Sequence, residues 1–190
     1  MHSIWPLTME PALSALSEKV WLLTLAFTLY AGWMDLRTRR IPNWLTVSGF
    51  LAGIALNSVL GGWHGARESL EGAGLALGLL LPVVLLRGLG AGDWKLMGAV
   101  GALMGWRPML FILVMSIVTS GLMAVVQMIV SKRAKKTLWN VLVLARGLAT
   151  FGLHMDRRIS LDNPTLLKVP FGVAVSVATV FSFVWIHWPK

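Results

Sequence analysis

The chain has 190 residues, of which 56% are hydrophobic and only 13% are charged, a composition that excludes an ordinary soluble domain. The formal net charge is +9, and cysteine is absent, which excludes disulfides, thiolate nucleophiles and cysteine-ligated zinc. The four histidines are scattered along the sequence, so a metal site built from them is not expected. We predict an all-α, polytopic membrane protein that forms one membrane-embedded domain over residues 1–190 and uses no cofactor.

Six apolar segments recur along the chain, and each is a candidate transmembrane helix. They lie at Val20–Met34, Trp44–Leu60, Gly72–Leu86, Trp94–Gly105, Met109–Val130 and Val169–Trp188. A helix needs about 20 residues to cross about 30 Å of hydrocarbon, and tilt or flanking residues adjust shorter segments. The sequence therefore predicts a bundle of about six transmembrane helices. Residues 1–19 lack the basic start of a secretory signal, so the first span should be retained.

The basic residues predict the orientation of this bundle. With the N-terminus outside, most Lys and Arg residues fall in the inner loops, as the positive-inside rule requires. The tryptophans then cluster near both membrane interfaces, where aromatic belts form. We predict a multi-pass protein of the inner, cytoplasmic membrane whose positive charge meets membrane lipids and not nucleic acid.

The segment 131–168 is the one long polar connection, and we predict it to be a cytoplasmic loop. Its apolar residues between Leu138 and Phe151 recur near helical spacing, which favours an amphipathic helix on the inner leaflet. A seventh span over Leu138–Leu153 is the alternative, although Arg146 would lie near its middle.

Small residues four positions apart predict where helices pack closely. Gly74 with Gly78, and Gly101 with Gly105, make the third and fourth spans expected packing partners.

Two acidic residues, Asp35 and Asp93, are predicted to lie at the cytoplasmic ends of spans. Asp35 ends the first span, and its simplest interpretation is a balance to the arginines that follow. Asp93 stands in a glycine-rich turn with Gly90 and Gly92, and its simplest interpretation is a cap for a helix that starts at Trp94. An acidic residue beside hydrocarbon is costly, however, and is by default a functional hypothesis.

A shared site for these two acids would have a specific chemistry. Two carboxyl groups in one partly desolvated site cannot both ionise, so they share a proton. The ionised carboxylate then takes a proton from water while the protonated one polarises the scissile carbonyl, as in an aspartic hydrolase. Sequence spacing alone does not bring them together, since 58 positions (93 minus 35) separate them.

The segments around both acids resemble those of the type IV prepilin peptidases, which are membrane-embedded aspartic proteases. Gly90-Ala91-Gly92-Asp93-Trp94-Lys95 is similar to the family's GxGDxK motif. Asp35 followed by Arg40-Ile41-Pro42-Asn43 resembles its first catalytic segment, an Asp before a basic loop that ends in IPN. Lys168-Val169-Pro170-Phe171-Gly172 resembles its late Pro-aromatic-Gly element.

The resemblance implies that Asp35 and Asp93 are the catalytic pair at the cytoplasmic membrane face. They would cleave the short basic leader of prepilin or pseudopilin substrates before pilus or secretion-system assembly. Larger members carry a zinc-binding insertion with paired CxxC motifs and methylate the new terminus. This cysteine-free chain is similar to the short form that serves Flp/Tad-type systems, so neither a metal nor methyltransferase activity is expected.

Six further residues are expected to support the substrate or the site: Gly90, Gly92, Lys95, Arg40, Pro42 and Asn43. Lys95 could stabilise the ionised pair, meet an acidic group of the substrate, or extend to the interface as an ordinary loop lysine. Pro42 and Asn43 are predicted to start the second span, where Asn43 can satisfy free backbone donors.

Three alternatives remain at this point. A presenilin-like intramembrane protease also carries GxGD, but its first Asp lies inside a span, commonly after Tyr, whereas Tyr30 is five residues from Asp35. A small ion- or proton-coupled transporter could use two intramembrane carboxylates, although the halves of this chain show no repeat. A non-catalytic membrane scaffold would need its glycines for packing only.

Overall fold

The computed structural model describes residues 11–86, 88–130 and 169–187, and within these ranges all regular structure is helical. The helices are α1 (Pro11–Thr38), α2 (Asn43–Leu85), α3 (Ala91–Met104), α4 (Trp106–Val130) and α5 (Phe171–His187). The predicted all-α class is therefore confirmed for the described part of the chain. The predicted surface helix in 131–168 lies outside it.

Helix α2 reverses direction at Gly62, whose φ of 57° and ψ of −140° break the helical path. The Asn57 side-chain amide donates to the Ser69 hydroxyl over 2.8 Å. Residues twelve apart in a straight helix would be separated by about 18 Å, so the chain must fold back between them. Segments 43–61 and 63–85 are therefore neighbours, and they contain the second and third predicted spans.

Part of the bundle has the length and the apolar composition of membrane-spanning helices. Of the described helices, α2 and the Trp106–Gln127 part of α4 are long and apolar enough to cross a membrane, and Phe171–Ile186 is a shorter apolar helix. Large apolar side chains on α4, such as Ile117 and Leu122, are more than half exposed, as on a surface that faces lipid. Six transmembrane helices are not confirmed by these lengths.

Helix α3 is the centre of the bundle, and every residue from Leu96 to Leu103 is buried. Close backbone contacts explain how a short helix can be enclosed so completely. A Cβ on Gly72 or Gly101 would overlap the backbone of the opposite helix, so only glycine fits at this crossing. The predicted pairing of these two segments is confirmed.

The prediction of which glycines make this contact was partly wrong. Gly101 lies at the contact, and a Cβ on Gly72 would also meet Gly105. Gly74 and Gly78, however, have nothing within 4 Å of a Cβ position. Four-residue spacing identifies a helix stripe but not the direction in which that stripe faces, and in α2 the packed face contains Gly72.

Candidate active site

Asp35 lies in the last turn of α1 and is buried, with 6% of its surface exposed. Its Oδ2 accepts a hydrogen bond of 2.9 Å from the backbone N–H of Gly172, the second residue of α5. The first N–H groups of a helix have no partner inside that helix, so the carboxylate satisfies one of them. Helix α1 ends at Thr38, and the next residue, Arg39, has a φ of 53° and donates its N–H to the Asp35 carbonyl.

Asp93 lies in the first turn of α3, which begins at Ala91 and follows the extended residue Gly90. The prediction that the helix starts at Trp94, with Asp93 as its cap, was therefore wrong. The Asp93 carboxyl instead accepts a hydrogen bond from the backbone N–H of Gly90, which precedes the helix. A Cβ on Gly90 would lie only 3.0 Å from the Asp93 Oδ2, so glycine leaves room for this bond.

The structure brings the two carboxyl groups within electrostatic range of each other. Burial, together with the nearby charge of Asp35, raises the pKa of Asp93 to about 7. Burial also raises the pKa of Asp35, while the Gly172 hydrogen bond and the Arg39 charge act in the opposite direction. Both groups lie outside α2 and α4, the helices long and apolar enough to cross a membrane. Near neutral pH, such a pair can retain one proton.

The loop that precedes α2 packs against the start of α3, beside Asp93. A Cβ on Gly92 would lie 3.4 Å from the Cβ and 3.5 Å from the carbonyl oxygen of Ile41, whose side chain is buried. Pro42 directly precedes α2, and its carbonyl accepts the N–H of Leu45 over 3.1 Å. The predicted start of this helical segment at Pro42 and Asn43 is confirmed within a residue.

Lys95 and Asn43, two of the predicted supporting residues, contact each other. The Lys95 ammonium donates to the Asn43 Oδ1 over 3.0 Å, across 52 positions of sequence. This bond joins Asn43, the first residue of α2, to Lys95, the fifth residue of α3. Arg40 is exposed, and its carbonyl accepts a hydrogen bond from the Thr38 hydroxyl over 2.9 Å.

Sequence reasoning did not assign a role to three residues around the pair. Gly172 holds Asp35, Ile41 supports Gly92, and the Trp94 indole donates to the Leu77 carbonyl over 2.8 Å. The signal for Gly172 was present, because it belongs to the Pro-aromatic-Gly segment noted in the sequence. Its contact with a helix 137 positions away was not visible there.

The arrangement is suited to acid–base chemistry. One carboxyl group that is ionised and a second that carries a proton can together activate water and polarise a carbonyl. Among the described residues, no group of three or more His, Asp or Glu side chains could hold a metal ion. The carboxyl pair is the feature of this site that can carry out acid–base chemistry.

Comparison with known proteins gives one family match. A family model described as the type IV leader peptidase family matches residues 22–125, which is more than half of the chain. The matched range includes Asp35, Asp93 and the loop between Arg40 and Asn43. The curated proteins and the solved structures contain no match to the chain.

Proposed function

The chain belongs to the type IV leader peptidase family, and we propose that it is a membrane aspartic endopeptidase with Asp35 and Asp93 as its catalytic pair. The family implies a protease that acts on prepilin-type leaders. One observation carries the aspartic mechanism. Two acids separated by 58 positions of sequence (93 minus 35) lie close enough for the charge of one to raise the pKa of the other.

The surroundings of the two acids suggest different starting roles. The Gly172 N–H and the Arg39 charge favour an ionised Asp35, which takes a proton from the attacking water. Asp93, with a pKa of about 7, holds a proton and transfers it to the scissile carbonyl oxygen as the water attacks the carbonyl carbon. As the tetrahedral intermediate collapses, the C–N bond breaks and Asp35 returns its proton to the leaving amine. Asp93 regains its own proton from the intermediate.

The proposed substrate is the short basic leader of a prepilin or pseudopilin, cleaved at the cytoplasmic face of the inner membrane. An aromatic cluster supports this placement, because Tyr30 lies 5.9 Å from Trp33 and 6.2 Å from Trp44 between ring centroids. Both tryptophans are about half exposed, and the Arg37 guanidinium lies 4.8 Å from the Trp33 ring centroid. Exposed Trp and Tyr with arginine are typical of a membrane–water interface on the positively charged side.

The supporting residues are proposed to fix the position of Asp93. Gly90 offers it a backbone donor, Gly92 lets the helix start approach Ile41, and Lys95 binds Asn43. Arg40 and Pro42 belong to the loop that carries Ile41 and Asn43. The chain is proposed to be the short form of Flp/Tad-type systems, with peptidase activity and without methyl transfer.

The test is leader removal by the purified protein in detergent, followed on a gel with a prepilin substrate. Asp35→Asn and Asp93→Asn should each abolish cleavage without lowering the protein level or the Tm of the parent. Glu71→Gln is a matched control, since Glu71 is an exposed carboxylate that pairs with Arg67 over 2.7 Å. Normal cleavage by either aspartate variant would remove the pair from the mechanism. A transporter or a scaffold would not cleave in any form.

A further inference from the structure

The start of α5 lies directly against the catalytic end of α1, although the two segments are distant in sequence. Gly172 donates its N–H to the Asp35 Oδ2 over 2.9 Å. Just before it, Pro170 and Phe171 are buried, and the Pro170 carbonyl accepts the N–H of Ala174 over 3.3 Å. The first turn of α5 is therefore fixed, and the Gly172 N–H has a defined direction.

Position 172 has little room for a side chain. A Cβ there would lie 3.0 Å from the Asp35 Cβ, 3.1 Å from its Oδ2 and 3.3 Å from its Cγ. All three of these nearest atoms belong to the same aspartate, so a side chain at position 172 would meet Asp35 first. Glycine within a helix is less favourable than alanine by about 0.5–1 kcal/mol. The chain accepts this cost at a position where the reacting carboxyl needs the space.

The crossing of α1 and α5 continues one turn further on with a second close contact. The Ser176 hydroxyl donates to the Thr28 carbonyl of α1 and to the Gly172 carbonyl of its own helix. A Cβ on Gly32 would overlap the Ser176 hydroxyl, so the two helices also touch there. This contact sets the distance between the helices but does not touch Asp35, and it provides a control for general packing.

From these contacts we infer that Gly172 is a positioning residue, whose backbone N–H and missing side chain hold the Asp35 carboxyl in its reactive orientation. The inference rests on the proposed function of Asp35. It extends the site beyond residues 22–125, the range matched by the family. Three segments then build the site: the end of α1, the start of α3 and the start of α5.

The first arm of the test compares the kinetics of three variants with those of the parent protein. In Gly172→Ala, the new methyl group must displace Asp35 by a few tenths of an ångström. A displacement of 1 Å can reduce a rate about 100-fold, so we expect kcat to fall about tenfold while KM stays unchanged. Ser176→Ala, at the same crossing, and Gly74→Ala, with open space around it, should keep the parent kcat. Equal losses in Gly172→Ala and Ser176→Ala would reduce Gly172 to a packing residue.

The second arm measures thermal unfolding in detergent and does not depend on cleavage. Gly172→Ala should lower the Tm of the parent. It should lower the Tm less in an Asp35→Ala background, where the Oδ2 and Cγ atoms are gone and only the Cβ contact remains. Residues that do not interact would instead give additive changes, and additivity would overturn the inference. If the parent protein cleaves no prepilin, the proposed function fails, while this double-mutant cycle still decides the contact.

Discussion

The pH dependence of cleavage follows from the two environments of the carboxyl pair. Asp93 must carry a proton to polarise the carbonyl, and its pKa is about 7. Above that pH the protonated fraction falls about tenfold for each further pH unit, and kcat should fall with it. Below the pKa of Asp35 both groups carry protons and no base remains, so kcat should also fall on the acidic side. The profile should be a bell whose alkaline limb lies near pH 7.

Arg39→Asn is the perturbation that separates the two limbs. The Arg39 charge lowers the pKa of Asp35, so its removal should move the acidic limb to higher pH and leave the alkaline limb in place. Asparagine tolerates the positive φ of 53° found at this position, so the variant removes the charge with little strain on the backbone.

The assay is kcat for leader removal from pH 5 to 9, with thermal unfolding measured at each pH to exclude loss of fold. Glu71→Gln should reproduce the parent profile, since that carboxylate lies in an exposed pair with Arg67. A rate that stays constant or rises from pH 7 to 9 would refute the proton-holding role of Asp93. A shift of both limbs in Arg39→Asn would contradict the separate environments of the two acids.

Three further predictions test the support of the site. Lys95→Met and Asn43→Ala should each reduce kcat, because each removes the same 3.0 Å hydrogen bond. The double variant should therefore lose no more activity than the worse of the two single variants. Additive losses would show that the two residues have independent roles. Asp93→Asn should raise the free energy of unfolding at pH 8 by at most about 4 kcal/mol, and should not raise it at pH 4, because the pKa of Asp93 is raised from 3.8 to about 7 and stability falls as pH rises through that window. An equal change at both pH values would exclude this cause. Gly72→Ala should destabilise the protein by about 1–3 kcal/mol in thermal unfolding, because its methyl group overpacks against α3. An equal effect of Gly74→Ala would contradict the packing described.

The helical segments could be predicted from apolar runs and glycines. The reversal of α2 falls between the second and third predicted spans, at Gly62, because glycine readily adopts such a backbone conformation. The start of α3 could not be predicted correctly. Ala91 and Gly92 suggested a turn, but the helix begins at Ala91, and the Asp93 carboxyl in its first turn accepts the N–H of Gly90, the residue before the helix. An acidic residue at this position stabilises a helix start by bonding back to the N–H before it.

The two acids of the candidate site could be predicted from the sequence, but most of the contacts around them could not. Asp35 and Asp93 were recognised from motifs, and the meeting of Lys95 with Asn43 joins two residues that were proposed separately. The bond from Gly172 could not be foreseen, because the donor is a backbone group and carries no side-chain signal. Its position depends on how α5 crosses α1, which small residues such as Gly32 permit but do not specify.

The structural and the chemical interpretations of the two aspartates are compatible. Each carboxyl accepts a backbone N–H at a helix start, Asp35 from Gly172 in α5 and Asp93 from Gly90 before α3. These bonds stabilise the helix starts and, in the proposed mechanism, also hold the carboxyl groups in position. An asparagine at either position keeps an oxygen that can accept the same N–H but cannot exchange a proton with water. Loss of cleavage in a stable asparagine variant would therefore assign the chemistry to the carboxyl group itself, which an alanine variant cannot do.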